Sequence, residues 1–511
     1  MSANGGGPAE IGIFLYQTCI RSIMEAVYPV WCTVSVTEFK KLEEIQRSAL
    51  RTATGTRHGV ALSVLEVLTG TPPLKQRLEQ SLINEFSKIL AKSSSDPLKS
   101  LILKLKDDKL HMDKKILSPL HIVKSVLREI GTTIEELETN IEKSVPRVYS
   151  TNKVCPKVVK IDDGKWSRSG ERTIQQVILA KVTITNYVSN LAETTLIAFT
   201  DGSALGNPGP CGSAAIIYKD GYENEPMRLH RPISVKSTSY HGEMDGLCLC
   251  ISNAHEILSK ENSKSIEKIH IFCDCRGAIE SVTSNDRILS HQSIKDEFIK
   301  HLTELNMKQI LTEISWVSGH ADLEANELAD NDAKKAANEA KNLNLPPVLT
   351  NNAIKSICKQ RTLKRWQKSW NIYPTGRMYN ELHSKVKVMT YRSHLPAYKE
   401  RLLLRAQTMT TNLKGENSWM AQLQEDFSPL CACGDKETLR HVLMDCTLLN
   451  EERNVLESEI MNVHRMNATP IHLRTFDYYT LLGGENEVKN QTRLKIEECI
   501  ANFLVSAKNQ I

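Results

Sequence analysis

Asp201, Glu243, Asp274 and Asp330 are acidic residues whose surroundings would bring them together around divalent metal ions. Asp201 ends the apolar run Leu196-Ile197-Ala198-Phe199-Thr200 and stands just before Gly202. Asp274 ends a similar run, Ile269-His270-Ile271-Phe272-Cys273. Runs of this kind read as buried strands, and a strand end holds its last side chain rigidly against open space. Glu243 and Asp330 fall in segments that read as helices. Neighbouring buried carboxylates repel one another, so such a set persists mainly where cations neutralise it. Magnesium suits such a set because it takes carboxylate oxygens, keeps several waters and leaves room for a substrate phosphate. Two such ions about 4 Å apart could activate a water and stabilise a leaving oxygen in phosphodiester cleavage. Taken singly, each acid is weak, since an Asp before Gly is commonly a turn former and a helical Glu is commonly solvated. Order and context carry the reading.

The elements that must position these acids lie between residues 194 and 342. Strand-like runs at 196–200, 214–218 and 227–231 come first, separated by turns such as Gly206-Asn207-Pro208-Gly209-Pro210. A helix over 241–258, a strand over 269–273, helices over 276–282 and 294–305, a strand over 310–317 and a helix over 323–340 follow. A meander that gives way to alternating strands and helices predicts an α/β domain, with a mixed five-stranded sheet and flanking helices.

The flanks read as mainly helical. Residues 1–90 form a helical region, with Tyr16, Ile20, Ile23, Val27 and Val30 at helical spacing. A second helix runs through Phe39, Leu42, Ile45, Ala49, Leu50 and Ala53, and Gly55 is placed for its C-terminal cap. Residues 91–193 form a connector, partly helical or disordered, and 343–511 a helical C-terminal region. There the Arg361, Lys364, Arg365, Trp366, Lys368 and Trp370 cluster reads either as a nucleic-acid surface or as an amphipathic helix with both tryptophans in the core.

The chain has 511 residues, 41% of them hydrophobic and 24% charged, with a formal net charge of +5. This composition suits a soluble protein of several domains. So mild a basic balance permits nucleic-acid binding without arguing for it, and any phosphate-binding surface must be local. The apolar stretch 11–31 is interrupted by Arg21 and Glu25 and reads as an amphipathic helix, not a membrane span. Thirteen scattered cysteines and no visible export signal predict reduced thiols and an intracellular home, nucleus or cytoplasm.

Phe199-Thr200-Asp201-Gly202-Ser203-Ala204-Leu205-Gly206-Asn207-Pro208-Gly209-Pro210 closely resembles the opening motif of the type 1 ribonuclease H family. His241-Gly242-Glu243-Met244 is similar to its second motif and Phe272-Cys273-Asp274 to its third. Trp316-Val317-Ser318-Gly319-His320, followed by Ala325-Asn326-Glu327-Leu328-Ala329-Asp330, is similar to its fourth. The resemblance implies cleavage of the RNA strand of an RNA–DNA hybrid with two magnesium ions, manganese being able to substitute. It makes Asp201, Glu243, Asp274 and Asp330 the metal ligands, His320 a catalytic helper, and Asn207 and Ser203 substrate-binding residues. One departure stands out. Many family members carry asparagines just before the second-motif Glu, where this chain has Ser239-Tyr240-His241.

The N-terminal helices resemble the region after the polymerase domain of non-LTR, jockey-like retrotransposon reverse transcriptases. Leu15-Tyr16, Tyr28-Pro29-Val30-Trp31, Leu42-Glu43-Glu44-Ile45-Gln46-Arg47 and Thr69-Gly70-Thr71-Pro72-Pro73-Leu74 carry that likeness. The paired-Asp motif of a polymerase is not found. Cys431-Ala432-Cys433-Gly434 with His441 and Cys446 resembles the Cys-His motif that follows ribonuclease H in the same elements. Two Cys, a His and a Cys could complete a tetrahedral zinc site. Against that, Cys-X-Cys is tight spacing, and on an ideal α-helix His441 and Cys446 point about 140° apart. Zinc and a metal-free packed thiol cluster both fit. The resulting expectation is a hybrid-specific ribonuclease H in a retroelement-derived chain; the rival is a catalytically silent nucleic-acid-binding remnant. Protein partners are not readable.

Overall fold

The computed structural model describes residues 7–31, 34–105, 118–143, 154–161, 174–219, 221–260, 266–286, 288, 290–319, 323–372, 377–392, 394–416, 427–483 and 490–508. The chain divides into two compact units. One comprises Met1–Leu82, Lys109–Val126 and Lys359–Ile511; the other comprises Ile83–Asp108 and Leu127–Cys358.

The second unit holds the acidic residues on a mixed sheet. Its strands are β1 (Lys157–Val158), β2 (Thr195–Ala204), β3 (Gly209–Tyr218), β4 (Met227–Ser237), β5 (Lys268–Cys273) and β6 (Leu311–Trp316). They lie in the order β1-β6-β5-β2-β3-β4. β2, β3 and β4 form the antiparallel meander, and β5 and β6 run parallel to β2. Six strands stand where five were expected. The sixth, β1, comes from the connector and pairs in parallel with the edge of β6. An exposed parallel edge leaves a row of unpaired backbone groups. Here the Val159 amide donates to the Ile314 carbonyl at 2.9 Å, and Lys157 pairs with Glu313 at 2.8 Å. So short a strand has no periodicity to read in its sequence.

Among the described residues, five helices pack on this sheet: α1 (Ile174–Ser189), α2 (Ser239–Lys260), α3 (Arg276–Thr283), α4 (Gln292–Met307) and α5 (Glu324–Asn342). The strand alternation sorts the core into two layers. Leu196, Ala198, Ala215, Ile217, Ile269 and Ile271 pack against Met244, Leu247, Ile251 and Phe298 from α2 and α4. Ile197, Phe199, Ile216 and Phe272 pack on the other face against Ile184 and Val188 of α1 and Ala325 and Ala329 of α5. Both faces of the central strands are covered, which is why β2 and β5 read as unbroken apolar runs. Helix α5 presents Ala329, Ala333, Ala336, Ala337 and Ala340, all fully buried. These small side chains let it approach the sheet so closely that a Cβ on Gly212 of β3 would collide with Ala336 and the Ala337 amide.

The first unit is helical among its described residues. Ser35 caps the helix Val36–Thr54, accepting from the Glu38 amide at 3.2 Å, and Gly55 ends it at φ +68°. Glycine carries that left-handed conformation without strain. Upstream, the single stripe expected from Tyr16 to Val30 is broken by a π-helical turn at Tyr16–Ile20. Tyr16 is buried, whereas Ile20, Ile23, Val27 and Val30 are exposed, because the wider turn shifts the residues after it off the buried face. Trp366 and Trp370 lie in the core with Leu50 and Leu65. Arg361 and Arg365 both pair with Glu79, at 2.9 and 3.0 Å. The tryptophans are in the core as the amphipathic reading expects, and Lys364 and Lys368 are exposed, but Arg361 is buried against Glu79 and not in solvent. Among the described residues no helix is long and apolar enough to cross a membrane.

Gly212→Ala should overpack the contact between β3 and α5 and destabilise the sheet by about 1–3 kcal/mol. Amide exchange over residues 209–218 would then accelerate about fivefold or more. Unchanged exchange would show that the approach of α5 is not close enough to matter.

Candidate active site

Parallel pairing of β2 and β5 sets the site. Their register aligns Phe199 with Phe272 and Thr200 with Cys273, so Asp201 and Asp274, each the next residue, emerge at the same end of the sheet. Helix α2 brings Glu243 to them through a backbone-to-backbone contact. A Cβ on Gly202 would collide with the Glu243 amide nitrogen and the Gly242 carbonyl carbon, and one on Gly246 would stand 3.0 Å from the Asp201 carbonyl oxygen. Ligand oxygens of Asp201, Glu243 and Asp274 lie within 4.8 Å of one another. Asp201 and Glu243 are buried, and Asp274 is half-buried.

Asp330 stands outside that trio. It projects from α5, pairs with Lys334 one turn along, and bears on Asp201 by charge and by a side-chain hydrogen bond. The structure therefore gathers three of the four expected acids tightly and sets the fourth beside Asp201.

Electrostatics follow from burial. Asp201 is pushed up to about 7, first by desolvation and then by repulsion from Asp274, while the Gly202 amide acts in the opposite direction. Desolvation, then Asp201 and Asp274, hold Glu243 well above the usual carboxylate range. A compact set of hard oxygen donors that repel one another in this way fits a small divalent cation such as magnesium.

Two contacts that the sequence did not flag hold Asp274. The Trp316 indole N–H donates to the Asp274 carbonyl at 2.8 Å, and the Arg276 guanidinium lies 3.9 Å over the Trp316 ring. The position of Trp316 within the fourth motif was the signal available. A Cβ on Gly319 would collide with Asp274 Oδ2, so this loop runs directly against the carboxylate. His320 lies outside the described residues. A second network, also unforeseen, buries Asp245 near Glu243, with Ser213 donating to it and Arg231 pairing with it at 3.0 Å.

Asn207 sits on the exposed turn after β2 and is engaged with the start of α2. Its side-chain amide donates to Ser239 Oγ at 3.0 Å, and its carbonyl accepts from the Ser239 amide at 3.3 Å. Ser203 is half-buried on β2. The Tyr240 hydroxyl bonds Ser281 at 2.6 Å, and buried His241 bonds Ser237 through Nδ1 at 2.7 Å. Tyr240 and His241 are thus committed to packing α2 and its neighbours, and Ser239 is left facing Asn207.

In the helical unit Cys431, Cys433, His441 and Cys446 offer ligand atoms that all lie within 4.8 Å of one another. Cys431 and Cys446 sulfurs are 3.7 Å apart, and the Cys433 sulfur is 3.2 Å from His441 Nε2. The expected divergence of His441 and Cys446 does not occur, because residues His441–Asp445 form a π turn instead of an α-helix. The Cys446 amide bonds the His441 carbonyl at 2.7 Å, an i to i+5 closure that brings both residues to one side. The tight Cys-X-Cys is accommodated by a turn in which the Gly434 amide bonds the Cys431 carbonyl at 2.9 Å, with Gly434 at φ +101°. The Asp435 amide lowers the Cys433 thiol, and burial raises that of Cys446 to about 11.

Residues 193–338 match the RNase H family. Among solved structures, the chain is similar to the N-terminal RNase H domain of rv2228c from Mycobacterium tuberculosis, solved as a fusion with maltose binding protein. That match has 20% identity and a TM-score of 0.23, covering 29% of this chain and 97% of that one. RNase H1 from Halobacterium salinarum matches at 20% identity and a TM-score of 0.22, over 29% of this chain and 99% of that one. LC11-RNase H1, solved in complex with an RNA/DNA hybrid, matches at 18% identity and a TM-score of 0.23, over 28% and 98%. The comparison with curated proteins found no match. The α/β stretch at residues 193–338 is an RNase H domain.

Proposed function

We propose that this domain hydrolyses the RNA strand of RNA–DNA hybrids endonucleolytically, with magnesium as cofactor. The observation that carries the reading is the convergence of Asp201, Glu243 and Asp274, with Asp330 beside Asp201, inside an RNase H domain. These four carboxylates would hold two ions, with manganese able to substitute. When bound, the ions would supply activation of water and stabilisation of the leaving 3′-oxygen. The chain's own residues do the positioning. The β2–β5 register aligns two carboxylates, the Gly202–Gly242 contact admits the third, and Trp316 fixes the backbone that carries Asp274. Asn207 and Ser203 would contact the hybrid at the edge of this site, where the 2′-hydroxyl must be read to tell RNA from DNA. Engagement of Tyr240 and His241 in packing supports the Asn207–Ser239 pair as the part of that edge that would meet substrate.

We further read the chain as retroelement-derived and active inside the cell, in the nucleus or cytoplasm. An RNase H domain followed by a Cys/His set supports the first, and the free thiols of the described cysteines accord with the second. The compact geometry of Cys431, Cys433, His441 and Cys446 supports zinc binding there.

Purified chain with magnesium should cleave labelled hybrid and spare duplex DNA and duplex RNA. Asp274→Asn should lower that cleavage about a hundredfold or more, since loss of a ligand costs at least as much as loss of a supporting residue. An inert parent chain that still binds hybrid would favour the silent remnant, and an equally active variant would remove Asp274 from the chemistry.

Stability should also report the carboxylates. Asp201 binds its proton up to about pH 7 when native but only to about 3.8 when unfolded, so in magnesium-free buffer its contribution to stability falls as pH rises through that window. Magnesium should reverse the fall. Thermal midpoints of the parent and of Asp201→Asn, at the two ends of the window, with and without magnesium, provide the check; identical profiles for the two proteins would contradict it.

Metal analysis should find zinc in the parent chain and about one equivalent less in Cys446→Ser. Equal zinc in both would leave a metal-free thiol cluster.

A further inference from the structure

A second, chemically different cluster lies away from the carboxylates. His255 projects from the later half of α2, about 18 Å along that helix from Glu243 at 1.5 Å per residue. His301 and Glu304 face it from consecutive turns of α4. His255 Nδ1 is 3.3 Å from His301 Nδ1 and 3.2 Å from Glu304 Oε2, and His301 Nδ1 is 3.6 Å from the same oxygen. Three donor atoms thus form a nearly equilateral triangle.

These edges match those of a metal coordination tetrahedron. An ion 2.0–2.1 Å from nitrogen and oxygen donors in tetrahedral geometry requires donor separations of about 3.3–3.4 Å. A circle through the three atoms has a radius of about 2.0 Å, so an ion at that bond length would stand about 0.6 Å out of their plane. A fourth position is left toward solvent, since all three side chains are partly exposed, between 19% and 31%.

We propose that His255, His301 and Glu304 form a zinc site with two imidazoles and one carboxylate, whose fourth ligand is water. Two imidazole nitrogens select a borderline transition ion over magnesium or calcium, which favour oxygen-only sets. With protons on Nε2, both rings would turn Nδ1 lone pairs toward the gap that Glu304 closes. A bound ion would brace α2 against α4 on the helical layer behind the β5–β2 strands, apart from the chemistry of the acidic cluster.

The test is zinc retention by the full chain after equilibrium dialysis in excess magnesium, which keeps zinc off the carboxylates. Parent protein should retain one equivalent of zinc more than His255→Ala, His301→Ala or Glu304→Gln. Each loss of a ligand should weaken binding at this site about tenfold or more. Cobalt provides a separate readout: the parent should show visible absorption from nitrogen and oxygen ligation that His301→Ala lacks, while thiolate absorption from the Cys431 cluster remains in both. Glu304→Gln preserves side-chain shape, and circular dichroism together with magnesium-dependent hybrid cleavage would establish that each variant is folded. Equal zinc retention and equal cobalt spectra in the parent and all three variants would overturn the site, leaving a hydrogen-bonded trio in which Glu304 bridges two rings.

Discussion

Repulsion among carboxylates that the fold will not allow to separate is the constraint on which the rest of this domain depends. Asp201 and Asp274 are fixed side by side because β2 and β5 pair in parallel, and Glu243 is fixed to them by a contact between two glycines. None of the three can relax by moving, since each is anchored at the end of a strand or the start of a helix packed on both sides. Burial and mutual charge are relieved only by protons or by cations. The fold therefore concentrates acidic groups at one end of the sheet.

Much of the supporting structure can be understood as what holds that charge in place. Two hydrophobic layers cover both faces of the central strands, and the alanine face of α5 allows the helix carrying Asp330 to lie against the sheet. Lys334 pairs with Asp330 and offsets part of the local charge. Trp316 holds the Asp274 backbone, and Arg276 covers the indole. By contrast, the Cys431 cluster meets its geometric demand locally, through two short turns within sixteen residues of chain.

Legibility differed with the range of the interaction responsible. The strands ending in Asp201 and Asp274 were readable because a doubly covered strand must be apolar throughout, and an acid at its end breaks that pattern abruptly. The Gly55 cap was readable because a left-handed terminus selects glycine. β1 was not readable, since two residues carry no period and gain their place from the edge of β6 alone. The stripe from Tyr16 to Val30 was misread, as was the angle between His441 and Cys446, for one shared reason: both assumed uniform α-helix, and a π turn stands at each place. The engagement of Tyr240, His241 and Asn207 also escaped the sequence, because their partners lie elsewhere in the fold or across a turn.

The sequence by itself determined the chemical identity of the donors: four acids in a set order, and a separate Cys, Cys, His and Cys set. It also determined the α/β character of the domain, since burial periodicity and turn chemistry are written locally. Tertiary structure alone decided which donors meet. It gathered Asp201, Glu243 and Asp274, set Asp330 beside Asp201 and paired it with Lys334, buried Trp366 and Trp370, and brought His255 against His301 and Glu304. The physical reason is that a side chain's type follows from its own position, whereas its distance to another follows from strand register and helix packing. Those are settled by contacts between segments far apart in the chain.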